Sequence, residues 1–312
     1  MLELKDLSKT YGKVNALKDV SLTINAGESV AFLGPEGSGK STVFKIATSL
    51  TPPSEGSVIL NENDIADDAV IVRENIGFLP QTNPLYSEML LYDYFRYVAR
   101  LKGIPRKDIR GSIKVVCEAT GLIDKLNVVI GTMTRTTKRL VGLAQTLLGE
   151  PDVLFIDAPY EGLEEEEVAP VQALIKSISK NRTLCLATES LVTATALCER
   201  LIIMHKGQVV ADGSTAELLA KEAAVSRFVL VVKGAQPEEF SEVIKKLKGI
   251  QEAERITTRK PEMVGLEITA AAEPGIKQLL KDTVGQQEEW ELIRIGRKTL
   301  DLPSIYERLT SA

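Results

Sequence analysis

The 312-residue sequence predicts an α/β domain built on a largely parallel sheet, followed by a smaller α+β domain. Three observations carry this prediction. From Met1 to about Leu219, short apolar runs alternate with longer helical patterns, the layout of parallel strands joined by crossover helices. One apolar run leads directly into a glycine-rich loop and then a helix. After an Ala- and Glu-rich stretch from Glu217 to Val225, the pattern restarts as strand, helix, strand, strand, helix, strand.

Ser29 to Leu33, Val153 to Ile156, Leu184 to Ala187 and Leu201 to Met204 are continuous apolar runs, which suit strands covered on both faces. The segment from about Thr82 to Gly131 has helical periodicity. Tyr92 to Leu101 forms one amphipathic stretch and a second runs from Pro105 through Cys117, which predicts a helical subdomain over about 82–136. Further on, Arg227 to Lys233 reads as a strand, Pro237 to Leu247 as a helix, and Glu252 to Thr258 and Met263 to Thr269 as strands. Pro274 to Val284 then reads as a helix, Trp290 to Ile295 as a strand and Ser304 to Leu309 as a short helix. The order βαββαβ is that of a ferredoxin-like unit. The expected domains are 1–222 and 226–312, the alternative being a β-rich extension packed on the first domain.

Composition narrows the function. A net charge of −5 and a pI of about 5.3 argue against nucleic acid as a partner. Cys117, Cys185 and Cys198 form no CxxC pair and His205 is the sole histidine, so buried thiols in a reducing compartment are expected rather than a metal cluster or disulfides. The N-terminus lacks a signal-peptide layout, and no apolar run reaches the length of about 18 residues that spans a bilayer. A cytoplasmic location is expected, any membrane link coming through a partner.

The strongest motif is Gly34-Pro35-Glu36-Gly37-Ser38-Gly39-Lys40-Ser41, which fits GxxxxGK[ST] between an apolar strand and the helical run from Thr42. Glycines let backbone N–H groups turn inward around phosphates, the helix N-terminus adds its positive end, and Lys40 brings a charge to the β/γ oxygens. The Ser41 hydroxyl is placed to hold Mg²⁺. Asp157 closes an apolar strand, where a magnesium-organising carboxylate belongs, the alternative being an aspartate that caps the next turn.

With these motifs the whole first domain resembles ABC-transporter ATP-binding subunits, a P-loop ABC-type ATPase core. The resemblance implies ATP and Mg²⁺ as cofactors. It places Tyr11 where adenine stacks on an aromatic ring, or else leaves it a turn tyrosine between two strands. It makes Gln81 the glutamine that reports γ-phosphate and Mg²⁺ to the helical subdomain, the alternative being a plain loop residue. Pro84, Leu85, Tyr86 and the helices after them would face a transmembrane permease.

Three positions depart from the family pattern. The residue after the aspartate is there a glutamate that polarises water, a contribution of typically about 10² to 10⁴ in rate; here it is Ala158. A histidine one strand later is replaced by Glu189, whose carboxylate repels phosphate oxygens or, alternatively, replaces the base from another angle. The LSGGQ signature becomes Met133-Thr134-Arg135-Thr136-Thr137, in which only the Thr134 hydroxyl survives and larger side chains hinder close backbone approach. Arg135 either reaches a phosphate or stays a solvated surface residue. Glu161-Gly162-Leu163-Glu164 also departs, and the acidic run Glu164 to Glu167 reads as favourable charge at a helix N-terminus.

The expectation is a degenerate ATP-binding subunit that binds Mg·ATP, forms a homodimer or heterodimer, sits on a permease at the inner face of the cell membrane, and hydrolyses slowly or not at all. The C-terminal layout and the ending Leu302 to Leu309 resemble exporters of the drug-resistance and gliding-motility type. Two other classes stay open: a working ATPase completed by its partner, and a structural protein that does not use nucleotide.

Overall fold

The computed structural model describes residues 1–311 apart from 224, 259, 261, 272–274, 299 and 300. In chain order the first elements are β1 (Leu2–Tyr11), β2 (Val14–Ile24), β3 (Ser29–Leu33), α1 (Lys40–Ala47), β4 (Glu55–Leu60), β5 (Asn63–Asp64), α2 (Ala69–Glu74) and β6 (Ile76–Leu79). Helices α3 (Leu91–Leu101), α4 (Ile109–Thr120) and α5 (Arg135–Leu147) follow. Next come β7 (Val153–Asp157), α6 (Glu165–Ser179), β8 (Thr183–Thr188), α7 (Leu191–Leu197), β9 (Arg200–His205), β10 (Gln208–Ser214) and α8 (Thr215–Ala223).

Two compact units emerge: Met1–Thr215 with the chain end from Leu309, and Ala216–Arg308. The expected division between 222 and 226 lies at the far end of α8, just beyond this one.

The first unit holds two sheets. Six strands run in the order β10-β9-β3-β8-β7-β6, parallel throughout except for β10. All four continuous apolar runs fall in it, as β3, β7, β8 and β9. A second, antiparallel sheet, β2-β1-β4-β5, was not foreseen by the largely parallel layout. Its strands hide their alternation, because β1 slips register between Leu4 and Leu7 and again before Lys9. Asp6 and Asp19 take positive φ (49° and 50°), which bends both strands of that pair.

Parallel pairing decides where the site lies. Because β7, β8 and β3 are neighbours running the same way, the loops after them emerge at one edge of the sheet. Phe44 of α1 anchors that edge by packing edge-to-face on Phe32 of β3 (5.3 Å between ring centres) and Phe155 of β7 (5.1 Å). Helices α3 to α5, with short 3₁₀ turns between α4 and α5, form the insertion between β6 and β7.

The second unit contains β11 (Val225–Lys233), α9 (Pro237–Lys245), β12 (Ile250–Ile256), β13 (Met263–Ala271), α10 (Ile276–Gly285) and β14 (Glu291–Arg297). Its antiparallel sheet has the order β12-β13-β11-β14, the arrangement of a ferredoxin-like βαββαβ unit. It has a core of its own around Leu230, Leu266, Leu280 and the Phe240–Trp290 pair. The expected helix start at Pro274 lies outside the described residues. The chain closes with α11 (Leu302–Ser311), and the three cysteines are buried free thiols.

Candidate nucleotide site

A cavity of about 850 Å³ opens at the sheet edge of the first unit. Its wall brings together Tyr11, Lys40, Ser41, Gln81, Asp157 and Glu189, residues from five separate stretches of chain. Glu36, Gly37, Gly39, Thr42 and Ala158 share that wall. Gly34, Pro35 and Ser38 stand behind it and hold Lys40, whose Nζ donates to the Gly34 and Pro35 carbonyls (2.7 and 2.8 Å) and to Ser38 Oγ (3.3 Å).

Local sequence explains the shape of this loop. Gly39 caps α1 with φ 104° and no side-chain bond; a Cβ there would lie 2.8 Å from the Ala16 carbonyl. Gly34 lies so close to the Met204 carbonyl that a Cβ would collide with it. No side chain caps this helix start, whose Lys40, Ser41 and Thr42 line the cavity, and an uncapped helix N-terminus favours an anion.

Asp157 ends β7 almost fully buried and shares the cavity wall with Ser41. Burial pushes its carboxyl above the ordinary range, while Ser41, Lys40 and Arg139 draw it back. Burial lowers the Lys40 pKa, opposed by Glu189, Asp157 and Glu36. A hydroxyl beside a carboxylate, with no thiol or imidazole in the set, is the oxygen donor chemistry that Mg²⁺ takes. Ser41 and Asp157 would hold the ion, with Gln81 on the same wall; bound there, Mg²⁺ neutralises phosphate charge. Among the described residues no cluster of three or more His, Cys, Asp or Glu side chains could hold a metal ion.

A family profile described as ABC transporter matches residues 17–161. The uncharacterized ABC transporter ATP-binding protein YxlF of Bacillus subtilis is 30% identical over 233 residues, covering 75% of this chain and 77% of that protein. The chain belongs to the ABC transporter ATP-binding family. It is also similar to the ABC transporter ATP-binding protein NatA of Bacillus subtilis, 29% identical over 228 residues, with 71% of this chain and 93% of that one covered. The Nod factor export ATP-binding protein I of Sinorhizobium fredii is 27% identical over 244 residues, covering 78% of this chain and 71% of that one. A solved ATP binding subunit of an ABC transporter superposes with a TM-score of 0.64 at 28% identity, over 71% of this chain and 92% of that chain. The dimeric ATP-binding cassette MJ0796, in a post-hydrolysis state bound to ADP and Pi, superposes with a TM-score of 0.62 at 25% identity, over 69% and 98%.

In this ABC chain, Met133, Thr134, Arg135, Thr136 and Thr137 lie outside the cavity, at the start of α5. Thr134 caps the helix, accepting from the Thr137 N–H at 3.2 Å. Arg135 is exposed, and the Thr136 hydroxyl bonds Glu167. Glu164 and Glu167 form a capping box at the start of α6, so the acidic run serves that helix end. Tyr11 closes the β1–β2 hairpin opposite Val14 and also lines the cavity, 46% exposed, with Lys9 Nζ 5.1 Å from its ring centre.

Sequence reading missed Arg139. It is 2% exposed on α5 and bonds only to main-chain oxygens. Nε donates to Pro159 (3.0 Å), Nη1 to Pro80 and Gln81 (3.3 and 3.2 Å), and Nη2 to Asp157 (2.8 Å) and Ala158. One guanidinium thus ties the Gln81 loop to the turn after β7. Asn83 makes a second tie, from its Nδ2 to the Lys138 carbonyl at 2.9 Å. No local pattern marks either residue, because their partners are backbone groups remote in sequence.

Proposed function

We propose that this ABC subunit holds Mg·ATP on its own phosphate loop, dimerises, docks on a transmembrane permease and hydrolyses slowly or not at all. The single observation behind the reading is the wall of one cavity. Lys40, Ser41, Gln81 and Asp157 meet there, and the next residue along the chain, Ala158, offers a methyl group. A methyl group neither accepts a proton nor orients water, so the contribution of a general base is lost from that position. Dimerisation is proposed by analogy with the cassette solved as a dimer. Export is proposed from the name of the Sinorhizobium relative. Membrane attachment through a partner agrees with the absence, among the described residues, of any helix long and apolar enough to cross a membrane.

A hydrolysing subunit is the second reading, and one observation favours it: the carboxylates of Glu161 and Glu189 also line the cavity. Calorimetric Mg·ATP binding and phosphate release by the purified chain, alone and with its permease, separate the two. Lys40→Ala is expected to weaken Mg·ATP binding at least about tenfold through loss of the charge at the β/γ oxygens. Ala158→Glu is expected to raise turnover of the complex by about 10²-fold or more. Fast turnover by the unaltered chain, abolished by Glu161→Gln or Glu189→Gln, would establish the second reading instead.

A further inference from the structure

Glu189, just after β8, brings its carboxylate to 3.9 Å from Lys40 Nζ. The two side chains differ sharply in exposure, 60% for Glu189 against 8% for Lys40. The ammonium donors of Lys40 already point at Gly34, Pro35 and Ser38, so Glu189 meets its charge without adding to those bonds. Three carboxylates act on Lys40, with Glu189 first, then Asp157, then Glu36. Asp157 is also acted on by Ser41 and Arg139, and Glu36 belongs to the phosphate loop itself. Glu189 is therefore a cavity-lining carboxylate that competes, for the same ammonium, with the terminal phosphoryl group of a nucleotide.

We propose that Glu189 is a specificity-determining residue that lowers the preference of this site for nucleoside triphosphate over nucleoside diphosphate. The inference rests on the nucleotide-holding reading above. The two ligands share the groups that meet the loop and the start of α1; they differ by one phosphoryl group and about one negative charge. A fixed carboxylate beside Lys40 repels the larger ligand more and already neutralises part of the charge that would attract it. Because Glu189 is largely solvated, the screened end of the Coulomb range applies, and the discrimination amounts to roughly five- to tenfold in affinity.

The test is calorimetric titration of the full chain with Mg·ATP and with Mg·ADP, at low and high salt, for the unaltered protein and Glu189→Gln. Being mostly exposed, this side chain is replaced without disturbing the core. The expected result is Mg·ATP binding tightened roughly five- to tenfold by the substitution, with Mg·ADP binding changed by less than about twofold. Salt is expected to narrow the difference in ATP-to-ADP affinity ratio between the unaltered protein and the variant. Binding of both nucleotides with a ratio that the substitution does not move overturns this inference alone. Failure of both nucleotides to bind either protein overturns the nucleotide-holding reading, and this inference with it.

Discussion

Ala158 takes φ 46°, in the left-handed region that an alanine occupies at a cost, and its N–H donates to the Ala187 carbonyl at 2.9 Å. What keeps it there is Arg139. Its guanidinium holds the carbonyls of Asp157, Ala158 and Pro159 from below, so the turn is over-determined by bonds from another element. Burial draws the Arg139 pKa down to about 10, still well above neutral, so the charge persists and the five carbonyls share it. Arg139→Met removes that shared donor; the Pro80 and Ala158 carbonyls keep the N–H groups of Asn83 and Glu161, and the loss is expected to cost about 1–3 kcal/mol. The urea unfolding midpoint is expected to fall accordingly with an unchanged m-value. Arg139→Lys recovers only part, since a single ammonium cannot span both segments.

At the scale of elements, the Gln81 loop and α5 are fitted to one another. Gly142 lies on α5 where a Cβ would collide with Asn83, so the helix face is bare where the loop crosses it. The far end of α5 is closed by Lys102, the residue after α3, whose Nζ donates to the Thr146 and Leu148 carbonyls (3.2 and 2.7 Å). Burial lowers its pKa from 10.5 to about 8. The sign follows from proton binding. Between about pH 8 and 10.5 the unfolded chain binds a proton that the folded chain does not, so stability rises with pH across that window. Below pH 8 the full cost of burying the charge remains. In urea titrations from pH 7 to 10.5, the unaltered protein is expected to gain about 3 kcal/mol relative to Lys102→Met.

For the whole molecule, the separation of cores matters most. The first unit buries its aromatic and aliphatic core around Phe32, Phe44 and Phe155, and the second around Phe240 and Trp290. Every cavity-lining residue belongs to the first. A chain ending after α8 is therefore expected to bind Mg·ATP within about threefold of the full-length affinity, measured by calorimetry, because no ligand group is removed. A larger loss would assign the second unit a part in forming the site.

Local chemistry was enough to determine much of this protein. Continuous apolar runs marked β3, β7, β8 and β9, because strands covered on both faces need no alternation. The motif from Gly34 to Ser41 marked the loop, because phosphate binding by backbone N–H groups requires those glycines and that lysine within eight residues. The βαββαβ order of the second unit was legible for the same reason of periodicity. Tertiary structure alone decided the rest. The antiparallel β2-β1-β4-β5 sheet escaped notice because register shifts and positive-φ aspartates break its alternation. Arg139, Asn83 and Lys102 escaped because each answers main-chain oxygens far along the chain, and a carbonyl carries no side-chain signature. The pairing of Glu189 with Lys40 belongs to the same class. It exists because β3 and β8 are parallel neighbours, a fact of strand order that no stretch of sequence contains.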